Sequence, residues 1–377
     1  MARKIIFTLI VSAVGAGIII FAFLFYANVY VKKAPTFENR KFATLLHTIE
    51  KGTDFIQVGK GLKEKDLIDS KFWFDAYVLT TGRWSRIKAG TYDLPYGSTT
   101  AQIVGIISRG EITKEKITIL EGWTLKDIAQ YCEQKGFFSQ EDFFAAAGEP
   151  TKGTLVWWKP KTSIQTDLGA KDAENATATE EVSVFKKIAA DFNFLSLPDQ
   201  ATGSLKAQDL EGFLFPDTYE LTYPITPEKV IRTALVNFQK QVPQDLQQGD
   251  FYQTIIMASL LEKEVKTYKD KQIVAGILWK RLKEGWPLQV DSTINYALGE
   301  AGTKTHWSDL DTDSLYNTYK YKGLPPGPIC NPGLESIKAA VYYKDSPYWY
   351  YLSAKNGKTI FSQTFEQHKA ARAKYLR

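Results

Sequence analysis

Between Ile5 and Ala27 the chain runs 23 residues without a charged side chain. No other stretch limits the fold so strongly, because a segment this apolar must satisfy its backbone polar groups internally, as a helix does. At 1.5 Å per residue the run spans about 35 Å, enough for a hydrocarbon core of ~30 Å. Arg3 and Lys4 precede it and Lys32 and Lys33 follow it. A signal peptide has an apolar region of roughly 7–15 residues and a small-x-small cleavage site. Here the run is longer, and Phe23-Leu24-Phe25-Tyr26 makes a poor approach to cleavage. The sequence therefore predicts an uncleaved transmembrane anchor within residues 1–31. The flanking charges nearly balance and orient it weakly. A short N-terminal tail most simply stays in the cytoplasm, giving a single-pass protein of the cell (inner) membrane with residues 32–377 periplasmic or otherwise extracytoplasmic.

Composition narrows the remainder. The 377 residues are 44% apolar and 24% charged, the balance of an ordinary folded protein with length for two or three domains. A net charge of +5 without a long basic run leaves no nucleic-acid footprint. His47, His306 and His368 are scattered, and no Walker A, GxGxxG or GxSxG pattern occurs. No metal, nucleotide or other cofactor is therefore expected. Twenty tyrosines and nine tryptophans suit either core packing or sugar-stacking surfaces. Cys132 and Cys330 leave open one disulfide or two buried thiols.

Residues 32–45 read as a juxtamembrane spacer. From 46 to 115 short apolar runs alternate with turn signals, the pattern of a small α/β module. Within it, 53–58 alternates like a strand, 61–70 and 71–81 read as short helices, and 87–92 turns into a strand. Thr99 or Thr100 then caps a helix that stops before Gly110. Residues 116–377 are read as one mixed α/β domain. It opens with a strand at 117–120 and a helix at 125–135, the latter announced by the capping box of Thr124 and Asp127. The Lys-, Thr-, Ala- and acid-rich stretch 148–182 reads as an insertion or linker. Further helices are expected at 182–192, 227–241, 334–341 and 365–376, and Asn356-Gly357 marks a hairpin between strands.

Chemistry concentrates on residues 251–268. On a helix, Ile256, Met257, Leu260 and Leu261 form one apolar arc, and Glu264 falls inside it. Glu262 points nearly the opposite way, where Lys266 can pair with it as on any solvated face. A carboxylate on a core-facing stripe is rarely tolerated without a partner or a role. Desolvation there raises its pKa, which lets it hold a proton near neutral pH as a general acid must. The plainer alternative is a helix-end Glu that reaches solvent or meets an arginine. The Gly- and Pro-rich loop 323–333, with tyrosines before it, is either punctuation or a rigid groove wall.

Taken together, these segments resemble the endolytic murein transglycosylases of the MltG/YceG-like type. The resemblance is carried by Met257-Ala258-Ser259-Leu260-Leu261-Glu262-Lys263-Glu264, by Val274-Ala275 with Arg281-Leu282, and by Leu288-Gln289-x-Asp291-x-Thr293-x-x-Tyr296. Tyr316-Asn317-Thr318-Tyr319, Gly323-Leu324-Pro325-Pro326-Gly327-Pro328-Ile329 and Asn331-Pro332-Gly333 extend it. Lys88-Ala89-Gly90-Thr91-Tyr92, Glu121-Gly122 and Glu211-Gly212-x-x-x-Pro216-Asp217-Thr218 also fit. Two departures stand out. Val265 occupies a position where the family often has Thr, and Val290-Asp291-Ser292 replaces a more usual Thr-Asp-Pro. Neither is expected to touch the carboxylate.

The resemblance implies an α+β fold, with a transmembrane helix, a LysM-like module and a catalytic domain built on a central catalytic helix. It implies a lyase that cuts the β-1,4 bond between N-acetylmuramic acid and N-acetylglucosamine of nascent peptidoglycan strands, leaves 1,6-anhydro ends and terminates glycan elongation. Glu264 becomes the catalytic acid/base. Gln289, Asp291, Tyr296, Asn317, Gly323, Leu324, Pro325 and Pro326 become groove residues. Expected partners are glycan strands, the membrane, peptidoglycan synthases and the division or elongation machinery. Two rivals remain: a muramidase-type hydrolase using Asp291 as second carboxylate, and a non-catalytic anchored wall-binding scaffold.

Overall fold

A computed structural model describes residues 2–33, 43–148, 184–195, 209–299 and 306–376. The chain divides into two compact units, Met1–Lys116 with Glu220–Pro224, and Ile117–Tyr219 with Ile225–Arg377. Among the described residues there are thirteen α-helices and three two-stranded sheets, a mixed α/β architecture.

The first unit begins with helix α1 (Ala2–Tyr30). Its described side chains include exposed Ile10, Val14, Ile18, Ile19, Phe21 and Phe25. Among the described residues no helix is long and apolar enough to cross a membrane. Strand β1 (Thr44–Ile49) starts inside the stretch read as a spacer. Helix α2 (Phe55–Glu64) occupies the place where a strand was expected at 53–58. Asp54 decides the matter: its side chain accepts the Gln57 N–H at 2.9 Å and caps a helix. Val58 and Leu62 then fall on one buried stripe, a periodicity that six residues were too few to reveal. The helix expected at 61–70 is the end of α2 followed by a turn with Asp66 at φ 55°. Helix α3 (Lys71–Thr80) lies where expected, and its Trp73 meets Phe23, Tyr26 and Tyr30 of α1 ring to ring. Strand β2 (Gly90–Pro95) pairs antiparallel with β1, from Thr44 opposite Pro95 to Ile49 opposite Gly90. Helix α4 (Thr100–Arg109) carries the Thr99 cap and the Gly110 stop read from sequence.

Strand β3 (Lys114–Ile119) pairs with a later strand, and the division between the units falls within both. Helix α5 (Leu125–Gln134) has its capping box as expected, and α6 (Gln140–Ala147) follows. The insertion expected at 148–182 lies outside the described residues beyond Gly148. Helix α7 (Val184–Ala190), strand β4 (Asp217–Thr222), which completes the pair with β3, and helix α8 (Pro227–Gln241) lead to the centre of the second unit. That centre is α9 (Phe251–Glu264), packed against α10 (Tyr268–Lys283), α11 (Asp291–Leu298) and α12 (Leu334–Val341). The hairpin of β5 (Tyr350–Ser353) and β6 (Thr359–Ser362) and helix α13 (Phe365–Tyr375) close the chain.

Helix α9 has no single apolar arc. Every residue from Ile255 to Leu261 is buried, as befits a helix covered on all sides. Gly212, at φ +88°, lets Pro328 come this close: a Cβ there would lie 2.7 Å from Pro328 and 2.8 Å from Ile255 of α9. The Ile329 N–H donates to Ser259 Oγ at 3.0 Å, so the loop after Gly327 is part of the core wall around α9. Cys132 and Cys330 are both buried and free, which removes the disulfide alternative; burial pushes the Cys132 thiol up to about 12.

Candidate active site

Glu264 is the last residue of α9. Val265 turns extended there and its buried side chain closes the helix. A helix ends in unsatisfied carbonyls with partial negative charge, so a carboxylate at this end is electrostatically disfavoured. Two elements hold the side chain. From the first turn of α11, Ser292 Oγ donates to Oε1 at 2.9 Å, and the Ser292 backbone N–H also bonds the carboxylate. From β5, the Tyr351 hydroxyl donates to Oε2 at 3.2 Å, and Ser353 Oγ donates to the Glu264 carbonyl at 3.2 Å. Tyr351 and Ser353 alternate along one strand, so one face of β5 grips both the side chain and the main chain. Burial raises the Glu264 carboxyl above its ordinary value and the Asp291 charge adds to the rise, while donation from Ser292 and Tyr351 opposes it.

Asp291, the first residue of α11, is exposed and accepts a hydrogen bond from the Tyr319 hydroxyl. Tyr351 thus bonds the acid itself, and Tyr319 bonds its neighbour Asp291. Burial raises both phenols, with Asp291 acting further on Tyr319 and Glu264 on Tyr351. Beneath them lies the buried Arg281 of α10. Its Nε and Nη2 donate to the Trp349 carbonyl at 3.0 and 2.6 Å, and its Nη1 donates to the Leu288 carbonyl at 2.6 Å. One guanidinium therefore ties β5 to the segment that enters α11, the two elements whose hydroxyls reach Glu264.

Gln289 is exposed, at φ 53°, with its N–H on the Thr318 carbonyl at 3.1 Å. A non-glycine residue there costs of order 1 kcal/mol and persists because its flanks are pinned, Leu288 by Arg281 and Val290 by Thr318 Oγ1. Tyr296 is buried, its hydroxyl donating to Glu211 Oε2 at 3.1 Å rather than reaching Glu264. Asn317 is fully buried: its amide N–H groups donate to the carbonyls of Leu310 and Thr312 at 2.8 and 2.9 Å, and its oxygen accepts the Tyr319 N–H at 3.0 Å. It orders the turn that presents Tyr319. Gly323 and Leu324 are half-buried, Pro325 is buried, and the Pro326 carbonyl accepts the Tyr252 hydroxyl at 3.4 Å. Tyr252 sits near the opposite end of α9 from Glu264, about 18 Å away at the helical rise. The structure thus gathers Glu264, Asp291 and the Gln289 segment at one end of α9 and sets Pro326 by the other.

Two sequence expectations are overturned. Glu262 is not a solvated carboxylate paired with Lys266. Its side chain is 8% exposed and bonds Lys271 Nζ at 3.2 Å, the Gly333 N–H at 3.0 Å and Ser336 Oγ at 2.6 Å. In the last turn of α9 it is Lys263 that faces solvent, while Glu262 turns toward Lys271 of α10 and the start of α12. Nor is the departure at Ser292 remote from the acid, since its hydroxyl is a direct donor to it. Sequence reasoning also missed Tyr351, Ser353 and the bridging role of Arg281. The available signal was the alternation of Tyr351 and Ser353, two hydroxyl-bearing side chains on one face of a strand.

A second carboxylate, Glu211, is 3% exposed and far more enclosed than Glu264. It accepts from the Leu125 N–H, the Tyr296 hydroxyl and the Asn331 amide, and burial raises it well above its usual range. It caps the start of α5 and locks α11 and the 331 loop together.

A carboxyl with a raised pKa at a helix end, half-buried and held by the hydroxyls of Ser292 and Tyr351 beside the exposed Asp291, is the constellation of a general acid/base site. The chain matches the YceG-like family over residues 47–374 and belongs to that family. It is 28% identical over 335 residues to an endolytic murein transglycosylase of Bacillus subtilis, covering 87% of this chain and 84% of that protein. A protein of the same name from Streptococcus pneumoniae is 27% identical over 353 residues; the match covers 88% of this chain and 58% of that longer protein. The crystal structure of a yceG-like protein from Listeria monocytogenes superposes with a TM-score of 0.51 at 28% identity, covering 87% of this chain and 98% of that one.

Proposed function

We propose that the protein is an endolytic peptidoglycan lytic transglycosylase with Glu264 as its single acid/base. The observation that carries the reading is the Glu264 carboxyl itself, its pKa raised by burial and its two oxygens each assigned a hydroxyl donor. Relatives named endolytic murein transglycosylases, similar over most of this chain, support the substrate class. The protonated carboxyl donates to the glycosidic oxygen between N-acetylmuramic acid and N-acetylglucosamine, and the C1–O4 bond breaks. The resulting carboxylate takes the proton of the muramic C6 hydroxyl as O6 closes on C1. The product is a 1,6-anhydro end, and Glu264 is again protonated, so one residue of tuned pKa serves both half-steps.

A hydrolytic cut needs a second carboxylate to activate water or attack C1. Asp291 is near enough for its charge to act on Glu264, which keeps a muramidase as the alternative. Mass spectrometry of digested glycan separates the two. Products of 1,6-anhydro mass are expected, and reducing-end products alone overturn the transglycosylase reading.

The proposal extends to place and partners. The exposed apolar side chains of α1, with Tyr26, Tyr30 and Trp73 grouped at its far end like an interfacial aromatic belt, support a single-pass anchor. Anchoring beside the membrane would set the enzyme on nascent strands, where cutting terminates elongation alongside the synthases and the division or elongation machinery. Retention of the protein in carbonate-washed membranes tests the anchor.

A further inference from the structure

A second aromatic feature stands beside the carboxyl site. Trp286, just beyond α10, is 41% exposed, and its ring lies 4.7 Å from that of Trp349 at 33°. Lys280 Nζ sits 4.5 Å from the Trp349 ring and is itself fixed by the carbonyls of Ser346 at 2.8 Å and Tyr348 at 2.5 Å. The Trp286 backbone N–H donates to the Arg281 carbonyl at 2.8 Å. Trp349 is thus backed by a cation and a neighbouring ring, and Trp286 is the ring held outward on this support. Core packing accounts for the inner tryptophan and leaves much of the outer one unused.

Arg281 joins this platform to the acid. The guanidinium that holds the Trp349 carbonyl also holds Leu288, and each lies a few residues before a donor to Glu264, Tyr351 and Ser292 respectively. Trp349 directly precedes β5 and its N–H bonds the Ser362 carbonyl at 3.0 Å, which continues the pairing, so its Cα lies about 6.8 Å from that of Tyr351 at extended spacing. A polysaccharide reaching Glu264 therefore passes close to Trp286. A pyranose ring offers apolar C–H faces that an aromatic plane buries without losing the hydroxyl hydrogen bonds at its rim.

We propose that Trp286, backed by Trp349, is a sugar-stacking subsite for the glycan strand adjoining the Glu264 site, an inference that rests on the glycan-cleaving reading above. The test uses the full chain carrying Glu264→Gln, so that binding is measured without turnover. The probe is glycan strand stripped of its stem peptides, followed by titration calorimetry. Adding Trp286→Ala is expected to weaken binding about tenfold, equivalent to about 1.4 kcal/mol, while Trp286→Phe stays within about threefold. An unchanged unfolding midpoint shows that the Ala variant is folded. Equal affinity of the Ala variant and its parent overturns the subsite, as does a loss seen only with peptide-bearing strands, which assigns the ring to the stem peptide. If the Glu264→Gln parent binds no stripped glycan, the functional reading and the subsite fall together.

Discussion

Glu262 and Glu264 stand two residues apart at the end of one helix, and the structure gives them opposite work. Glu262→Gln preserves shape and removes a charge facing Lys271, in a pair whose side chains are 8% and 4% exposed. Oε1 serves Lys271, and Oε2 serves the Gly333 N–H and Ser336 Oγ. An amide cannot accept on both sides. If its oxygen keeps Lys271, its NH2 confronts the Gly333 N–H, and the reverse placement leaves the ammonium buried without an anion. Breaking a buried pair from one side costs roughly 3–5 kcal/mol. At about 2–4 °C per kcal/mol for a unit of this size, the unfolding midpoint should fall by about 6–20 °C. Far-UV circular dichroism on heating measures it, and urea unfolding should show a lower midpoint with an unchanged slope. Glu262→Leu together with Lys271→Met should recover most of the loss. Glu264→Gln should behave oppositely, holding or slightly raising stability, because it removes a carboxyl that the fold prefers neutral. A Glu262→Gln midpoint within about 2 °C of the parent would refute the reasoning, since that corresponds to less than about 1 kcal/mol.

The donors on Glu264 make a kinetic prediction. Ser292 and Tyr351 both favour the charged carboxylate, so Ser292→Ala or Tyr351→Phe moves its pKa further up. A general acid works protonated and activity falls as pH rises through its pKa, so the basic limb of kcat/KM against pH should move to higher pH; a limb that stays put contradicts the assignment. Asp209 makes a prediction for stability. Burial pushes it from 3.8 up to about 6, so between those values the folded chain binds more protons than the unfolded one. Stability should therefore decline as pH rises across that window, and urea unfolding of Asp209→Asn should lose that part of the slope.

Much of the fold was legible where its signals are local. Thr99 and Thr124 cap helices that begin where their hydroxyls said they would, because a cap involves only the next turn. The expected strand at 53–58 failed for a related reason: its alternation was shorter than the two helical turns that decided the outcome. At the site, the burial of Glu264 was legible, but through a premise the structure replaces. No single apolar arc exists where every residue from Ile255 to Leu261 is buried, and Glu264 differs from Glu262 by lying where β5 and α11 meet the helix end. Ser292 and Tyr351 reach it from 28 and 87 residues away in sequence. Periodicity along a single element carries no information about such contacts. Tyr296 and Asn317 were legible as special residues, yet a motif does not say whether a polar side chain points into a groove or, as here, is satisfied within the fold.

The proposed mechanism assigns the chemistry to the Glu264 carboxyl alone. Its most direct test is the rate of glycan-strand cleavage by purified Glu264→Gln beside the parent, with matched circular dichroism spectra. A loss of at least about 100-fold is expected, the lower range for removing a general acid/base. Cleavage by the folded Gln variant at the parental rate would contradict the assignment.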